Sequence, residues 1–468
     1  MLDTQLRGGV VVNPGTGEPV GEVRITALSE IDDVLTRAAE AQRSWAATPR
    51  HARYAILTKL GREIEAQKLD LATLLSREAG KPLVQAEFEV DTAARLFTGF
   101  GERLMALSEE AHFLDSQPGL EGDLLLTVRE PLGVVVAIAP FNFPVELFTQ
   151  KVAPALAMGN AVVAKPSPET PLTIVRLVEM ARELGLPPEV LQVVHGDAEV
   201  GSALVQHPGV AAVAFTGSTE AGVHIATNGA KTLKKVMLEL GGNDALIILP
   251  DADLDLAVRE AVAGRTLANG QVCCANKRIL APSNLVGDIT ERLAAGMAQQ
   301  VVGDQLASST DVGPLIKESA AVTVESQVSD TVAAGARVVV GGRRDGTFYV
   351  PTVLDQIRPD MAVACDMEIF GPVLAVLSYE STEEAIGIAN QSRYGLGASV
   401  FSTNMVAATG VARQLHSGHV VINGSGQYRP DVAPFGGVKF SGSAREGLST
   451  SLEEYASPRT IAFRQIFS

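Results

Sequence analysis

Val134-Val135-Val136-Ala137-Ile138, a helical segment near 144–158, and then Ala161-Val162-Val163-Ala164 form the stretch that decides the fold. An apolar run of strand length with no polar interruption reads as a strand buried on both faces, and a helix-length connection to a second such run makes the two strands parallel. The alternation continues with Leu191-Gln192-Val193-Val194 and with Val210 to Phe215, separated by helical segments near 170–184, 199–207 and 219–228. The pattern predicts a parallel sheet with helices on its faces. A second α/β series follows Gly242: Ala245-Leu246-Ile247-Ile248-Leu249, a helix near 253–265, a strand near 277–281, and further elements to about 440. Paired glycines at Gly241-Gly242 suit a junction, because they permit close backbone approach. Upstream, residues 29–108 read as helical, with Ile31, Val34, Leu35 and Ala38 at helical spacing. Asp123 to Glu130 and the tail Ser457 to Ser468 are expected to form an excursion from the body.

Composition narrows the function classes. The chain has 468 residues, 46% hydrophobic and 20% charged, which favours two or three domains with sizeable cores. The net charge of −16 is dispersed and no Lys/Arg block tracks a phosphate backbone, so nucleic acid is not an expected partner. Three cysteines, two of them adjacent, make no disulfide framework and suit a reducing compartment. Met1 to Arg7 lacks a basic region followed by an apolar core, and the densest apolar run, Leu132 to Pro140, is shorter than a membrane span. The expectation is a cytoplasmic protein without a membrane partner.

Several segments carry chemistry. Gly270-Gln271-Val272-Cys273-Cys274-Ala275 offers a thiol, and Glu239-Leu240-Gly241-Gly242-Asn243 a carboxylate at a strand end. A buried cysteine is ordinarily a small hydrophobe and a strand-end Glu ordinarily a solvated one; the functional reading is a nucleophile and its base. Neighbouring side chains point in different directions, so only one of Cys273 and Cys274 can face a given site. Phe141-Asn142-Phe143, between Pro140 and Pro144, offers an amide for an oxyanion. Phe215-Thr216-Gly217-Ser218 follows a strand and opens a helix; it is a simple turn or, through free N–H groups and the helix dipole, a phosphate cradle. Lys165-Pro166-Ser167 closes another strand, and Glu368-Ile369-Phe370-Gly371-Pro372 puts an acid and an aromatic before a turn. The seven histidines show no metal-ligand spacing, so no metal site is expected.

Taken in this order, and with Pro434-Phe435-Gly436-Gly437-Val438-Lys439 followed by Ser441-Gly442, these segments resemble the aldehyde dehydrogenase superfamily over nearly the whole chain. The resemblance implies an α/β fold of two Rossmann-like parallel-sheet domains plus a small β oligomerisation arm. Residues 1–113 and 133–241 would be the coenzyme-binding domain, 242–440 the catalytic domain, and 114–132 with 441–468 the arm and tail. It also implies Cys273 as nucleophile, Glu239 as general base and Asn142 as oxyanion donor beside the Cys273 backbone N–H. For NAD or NADP it implies Lys165 and Ser167 at the adenine ribose, Gly217 and Ser218 at the pyrophosphate, Glu368 at the nicotinamide ribose, and Phe141 and Phe370 nearby. A thiohemiacetal would pass hydride to the nicotinamide, and water activated by Glu239 would hydrolyse the thioester. Phe143, Leu147, Val272, Cys274 and Phe435 would line an apolar funnel with Arg429 near its mouth. The Tyr428-Arg429-Pro430-Asp431 stretch resembles the branch acting on lactaldehyde-like, phosphonate-bearing and phosphorylated aldehydes, which implies a small polar, anionic or phosphorylated aldehyde.

Departures from the family pattern are specific. Ala444 replaces the second glycine of the common Ser-Gly-x-Gly-Arg-Glu, no basic residue flanks Cys273, and Pro168 with Glu169 next stands where many NAD-preferring members carry Glu. Without that carboxylate NADP should be tolerated, while Glu169, by swinging in, would restore NAD preference. Two alternatives accompany the hydrolytic reading: an acylating relative in which coenzyme A replaces water, and a non-catalytic relative used as a binding or structural protein. The intact Glu239 favours hydrolysis. The arm and tail are expected to pair across a two-fold interface in a homodimer or homotetramer.

Overall fold

The computed structural model describes residues 9–467; the readings of Met1 to Arg7 and of Ser468 lie outside them. Five parallel strands lie in the order Leu191–Val193, Ala161–Lys165, Val134–Ile138, Ala212–Thr216 and Lys235–Glu239. The chain builds outward from Val134–Ile138 first to one side and then to the other, which opens a crevice at the carboxyl ends of the strands. Val135 and Ala137 face a core shared with the helices Arg50–Ala66, Leu83–Ala106 and Pro144–Ala157, while Val134 and Val136 face Ile31–Ala47 on the other side. Cover on both faces is the reason the strand has no polar position. Each fully buried aliphatic or aromatic side chain here contributes roughly 1.5–3 kcal/mol.

Local chemistry sets the elements that matter. Ile31–Ala47 stops at Thr48, which Pro49 forces into an extended conformation. Pro144–Ala157 starts with proline at its first position, where no N–H is needed. Phe143 has no side-chain acceptor to cap that helix. The carboxylate of Glu89, from Leu83–Ala106, accepts instead from the Val145 and Glu146 amides at 2.8 and 3.1 Å. Glu89 is sealed from solvent and neutralised by buried Lys81. Asn142, Phe143 and the whole Pro144–Ala157 helix are thereby tied to a second helix.

The second sheet has seven strands in the order Arg337–Val340, Thr352–Ile357, Val373–Tyr379, Asn276–Pro282, Asp244–Ile248, Gly397–Phe401 and His419–Ile422. Arg337–Val340 is antiparallel to its neighbour and the rest are parallel. Lys235–Glu239 runs through Leu240 to Asn243 directly into Asp244–Ile248, so the carboxyl end of the first sheet meets the amino end of the second at the Gly241-Gly242 junction. Among the described residues no helix is long and apolar enough to cross a membrane.

Leu124–Pro131 is the centre of a three-stranded antiparallel sheet, flanked by Glu110–Phe113 and Ala456–Phe463. The sheet therefore begins before residue 114. Arm and tail pair with each other inside the chain, in an unbroken register from Ala456–Pro131 to Phe463–Leu124. Residues 441–455 belong to the body: the Ser443 and Ala444 amides donate to the Leu238 carbonyl, and Leu240 donates to Ser441. Ala444 is buried in the first core and its φ is not positive, so a Cβ is accommodated where the family pattern has glycine.

Before Asn276–Pro282 the backbone makes an uncommon turn: Ala268, Asn269 and Gly270 all have positive φ, at 46°, 60° and 77°. Two residues with side chains in that region store strain, which the surroundings must over-determine. The fully buried Asn269 amide donates to the Gly80 and Pro314 carbonyls at 2.9 and 2.7 Å and accepts from Gly313 at 2.6 Å. The guanidinium of Arg265, also fully buried, donates to the carbonyls of Val373 at 2.7 Å, Gly270 at 3.2 Å and Ile369. A Cβ on Gly270 would fall 2.3 Å from the Gly371 carbonyl carbon, so only glycine lets this turn reach Gly371-Pro372. Arg265→Met leaves three carbonyls without their donor and should lower stability by about 3 kcal/mol, read as an earlier urea midpoint. An unchanged midpoint would remove Arg265 from the support of this turn.

Candidate active site

A cavity of about 390 Å³ opens where the two sheets meet. Cys273 and Glu239 both line it, as do Phe143, Leu147, Val272, Cys274, Arg429 and Phe435, the residues expected around the aldehyde. Cys273 follows the strained turn, and Glu239 ends Lys235–Glu239. Asn142 does not line this cavity; its amide nitrogen is tied to the thiol's own loop, donating to the Gln271 carbonyl at 2.8 Å, two residues before Cys273. One of its two N–H donors is thus used in orientation.

The electrostatics are those of a closed site. Glu239 is 5% exposed and neither carboxylate oxygen has a hydrogen-bond partner among the described residues. Burial, reinforced by the nearby Glu446 carboxylate, pushes its pKa well above the usual carboxylate range, against Arg429 and Lys151. The Cys273 thiol is pushed up by its contact with Cys274 and by burial, and Lys277 opposes both. Lys277 donates to the Cys273 carbonyl at 2.6 Å and pairs with Glu368 at 3.3 Å. Buried Lys151 bonds Glu446 at 2.7 Å and Thr216 at 2.6 Å.

Several of these groups were not anticipated from the sequence. Lys151, Lys277 and Glu446 are ordinary charged residues until the fold buries them. Phe88, Thr92 and Arg95 also line the cavity, from one face of Leu83–Ala106; their one-turn spacings are the signal that was available. Phe88 and Tyr428 are exposed at 61% and 65%, which places them at the mouth. Arg429 is not at the mouth. Its side chain is 14% exposed and pairs with Glu146 and Glu446.

The residues expected at the coenzyme lie on the carboxyl side of the first sheet. Lys165 ends Ala161–Lys165, is 6% exposed and has no ammonium partner among the described residues; burial lowers its pKa, against Asp197 and Glu169. Such a group fits a sugar hydroxyl. Gly217 and Ser218 precede Thr219–Ala230, and Ser218 caps it by accepting from Ala221. Phe141 and Phe370 meet edge to face at 6.0 Å. Glu368 accepts from Gly242 at 3.2 Å, and a Cβ on Gly241 would fall 2.2 Å from its carboxylate, so the junction glycines admit it. Ser167 donates to Glu169 at 2.5 Å, and Glu169 also pairs with Lys317 at 2.5 Å. Glu169 is therefore held in place rather than free to swing.

The family model described as "Aldehyde dehydrogenase family" matches residues 3–461. The chain belongs to this family. As an aldehyde dehydrogenase it is an oxidoreductase that turns aldehydes into acids with NAD or NADP. It is 36% identical to 3-sulfolactaldehyde dehydrogenase of Priestia aryabhattai, over 96% of this chain and 94% of that one. It is 40% identical to geranial dehydrogenase of Castellaniella defragrans, over 96% and 94%. The crystal structure of NADP-dependent glyceraldehyde-3-phosphate dehydrogenase from Bacillus halodurans superposes with a TM-score of 0.94 at 34% identity, covering 97% of this chain and 95% of that one. A NAD-dependent aldehyde dehydrogenase from Sinorhizobium meliloti gives the same score at 34% identity, over 97% and 91%.

Cys273→Ala should abolish aldehyde dehydrogenase turnover while Cys274→Ala retains substantial activity. Iodoacetamide labelling read by mass spectrometry checks the pair, and inactivation with label on Cys274 would reverse the assignment.

Proposed function

We propose that the acid is released by hydrolysis of a thioester on Cys273, with Glu239 as base and Asn142 with the Cys273 N–H as oxyanion donors. The observation that carries this reading is the shared cavity: a thiol held by a pinned turn faces the same space as a carboxylate without a hydrogen-bond partner among the described residues. The Cys273 thiolate adds to the carbonyl carbon, forming a C–S bond, and the oxygen takes the charge and accepts from the Asn142 amide. Bound NAD or NADP supplies the hydride acceptor. Lys165 and Ser167 would hold its adenine ribose, Gly217 and Ser218 its pyrophosphate, and Glu368 its nicotinamide ribose, with the Phe141–Phe370 pair nearby. In the second half water attacks the thioester carbon, Glu239 takes the water proton, and the C–S bond breaks to return the thiolate. Lys151 and Arg429 beside Glu446 set the charge that Glu239 feels.

The same reading divides the described chain into a coenzyme unit around the first sheet, a catalytic unit around the second, and an arm. The outer edge of Ala456–Phe463, with every residue after Ala456 exposed, is the proposed route to a homodimer or homotetramer, because an open strand edge seeks a partner. A cytoplasmic location is supported by the cysteines, all three of them free thiols.

Absorbance at 340 nm with a panel of aldehydes, with and without coenzyme A, tests the hydrolytic route: turnover that requires coenzyme A would make the enzyme acylating. Glu239→Gln should keep a pre-steady-state burst of reduced coenzyme and lose about 10²–10⁴-fold in steady turnover. Because the Glu239 pKa is raised, its base form is gained as pH rises, so steady turnover should climb with pH in the parent and lose that limb in the variant. Parent-like turnover in the variant assigns the base elsewhere.

A further inference from the structure

Arg429 is the cation that the sequence offers to an anionic aldehyde, and the structure has already committed it. Its Nη2 lies 3.1 Å from Glu446 and its Nη1 3.6 Å from Glu146, with the guanidinium 4.2 Å over the Phe435 ring. All three charged side chains are nearly buried, at 14%, 9% and 14% exposure for Arg429, Glu446 and Glu146. We infer, on the reading that this site oxidises aldehydes, that Glu146 neutralises Arg429 and thereby restricts the cavity to uncharged aldehydes.

The charge balance supports this. Two cations, Lys151 and Arg429, stand among three carboxylates, Glu146, Glu239 and Glu446, and Glu446 is shared between both cations. With the Glu146 and Glu446 carboxylates ionised, the group is negative when Glu239 is ionised and neutral when Glu239 is protonated; burial pushes the Glu146 pKa up, and Arg429 at 3.6 Å opposes that. In neither state is there a spare positive charge, and a buried like charge is expelled strongly in a low-dielectric site. The second arginine, Arg95, is half exposed and held by Asp431 at 3.0 Å and Thr92 at 3.1 Å. Beside the thiol stand Val272 and Cys274, neither of them cationic, and the remaining wall includes Phe143, Leu147 and Leu267.

Glu146 has an ordinary explanation as well. It sits in the first turn of Pro144–Ala157, where a carboxylate complements the helix dipole. That role calls for no cation from another segment and no place in a cavity wall, and Glu146 has both. Burial alone would lower the Arg429 pKa; the two carboxylates overcome it and leave the guanidinium firmly charged.

The test compares kcat/KM for butanal and succinic semialdehyde, equal in carbon number, in the parent, in Glu146→Gln, and in Glu146→Gln with Arg429→Gln. The parent should favour butanal by about tenfold or more, chiefly through KM. Glu146→Gln should raise the anionic-to-neutral ratio by about tenfold, because it frees one face of Arg429, and the double variant should lose that gain. The parent measurement needs no variant to fold: equal use of the two aldehydes, or preference for the anionic one, overturns the inference. So does a ratio that Glu146→Gln leaves unmoved, or a gain that survives loss of Arg429. A parent inactive on every aldehyde overturns the aldehyde-oxidation reading and this inference with it.

Discussion

One buried guanidinium carries the architecture of the site. Arg265 gives its N–H groups to carbonyls of the turn before Cys273 and of the segment around Ile369 and Val373. A cation taken out of water is costly unless every donor is satisfied, so these carbonyls and this side chain fix one another. Burial pulls its pKa down to about 9, yet it stays protonated near neutrality and keeps its donors. With Asn269 it holds three successive left-handed residues, and the thiol emerges from that turn at one defined place. A flexible loop would present Cys273 over a range of positions, and reacting atoms must be held to within a fraction of an ångström.

The second constraint is the meeting of sheet ends. Four of the proposed functional segments, Asn142, Lys165, Gly217-Ser218 and Glu239, lie at or just beyond carboxyl ends of strands in the first sheet, where α/β folds leave a crevice. The remaining two, Cys273 and Glu368, precede strands of the second sheet. Glycines let the two groups touch, with Gly241 against the Glu368 carboxylate and Gly242 near the Cys273 carbonyl. Acid and thiol so meet in one cavity, with the Asn142 amide tied to the loop that carries the thiol.

The fold was legible because its strands are covered on both faces: Val134–Ile138 and Ala161–Lys165 need an unbroken apolar run, and such runs stand out. The site was legible where function depends on a local turn, as at Gly270 and Gly241. What stayed hidden are groups whose meaning lies in distant partners. Lys151 meets Glu446 across 295 positions, and Arg429 meets Glu146 from another segment, so neither burial nor pairing is written in its neighbours. Lys277 sits four residues after Cys273 and reads as a strand residue until its ammonium folds back onto the Cys273 carbonyl. The arm shows the same limit: its position between the helical region and the first sheet marks it as an excursion, but Leu124–Pro131 and Ala456–Phe463 lie over 300 residues apart and nothing local says that they pair.

In this mechanism an aldehyde becomes a thioester on Cys273 and waits there for Glu239. The direct measurement is peptide mapping by mass spectrometry of Glu239→Gln quenched in acid after mixing with coenzyme and a short aldehyde. The acyl mass is expected on the peptide carrying Cys273, resolved from Cys274 by fragmentation. Acyl mass on Cys274 or Cys365, or an enzyme that turns over without carrying any, would contradict it.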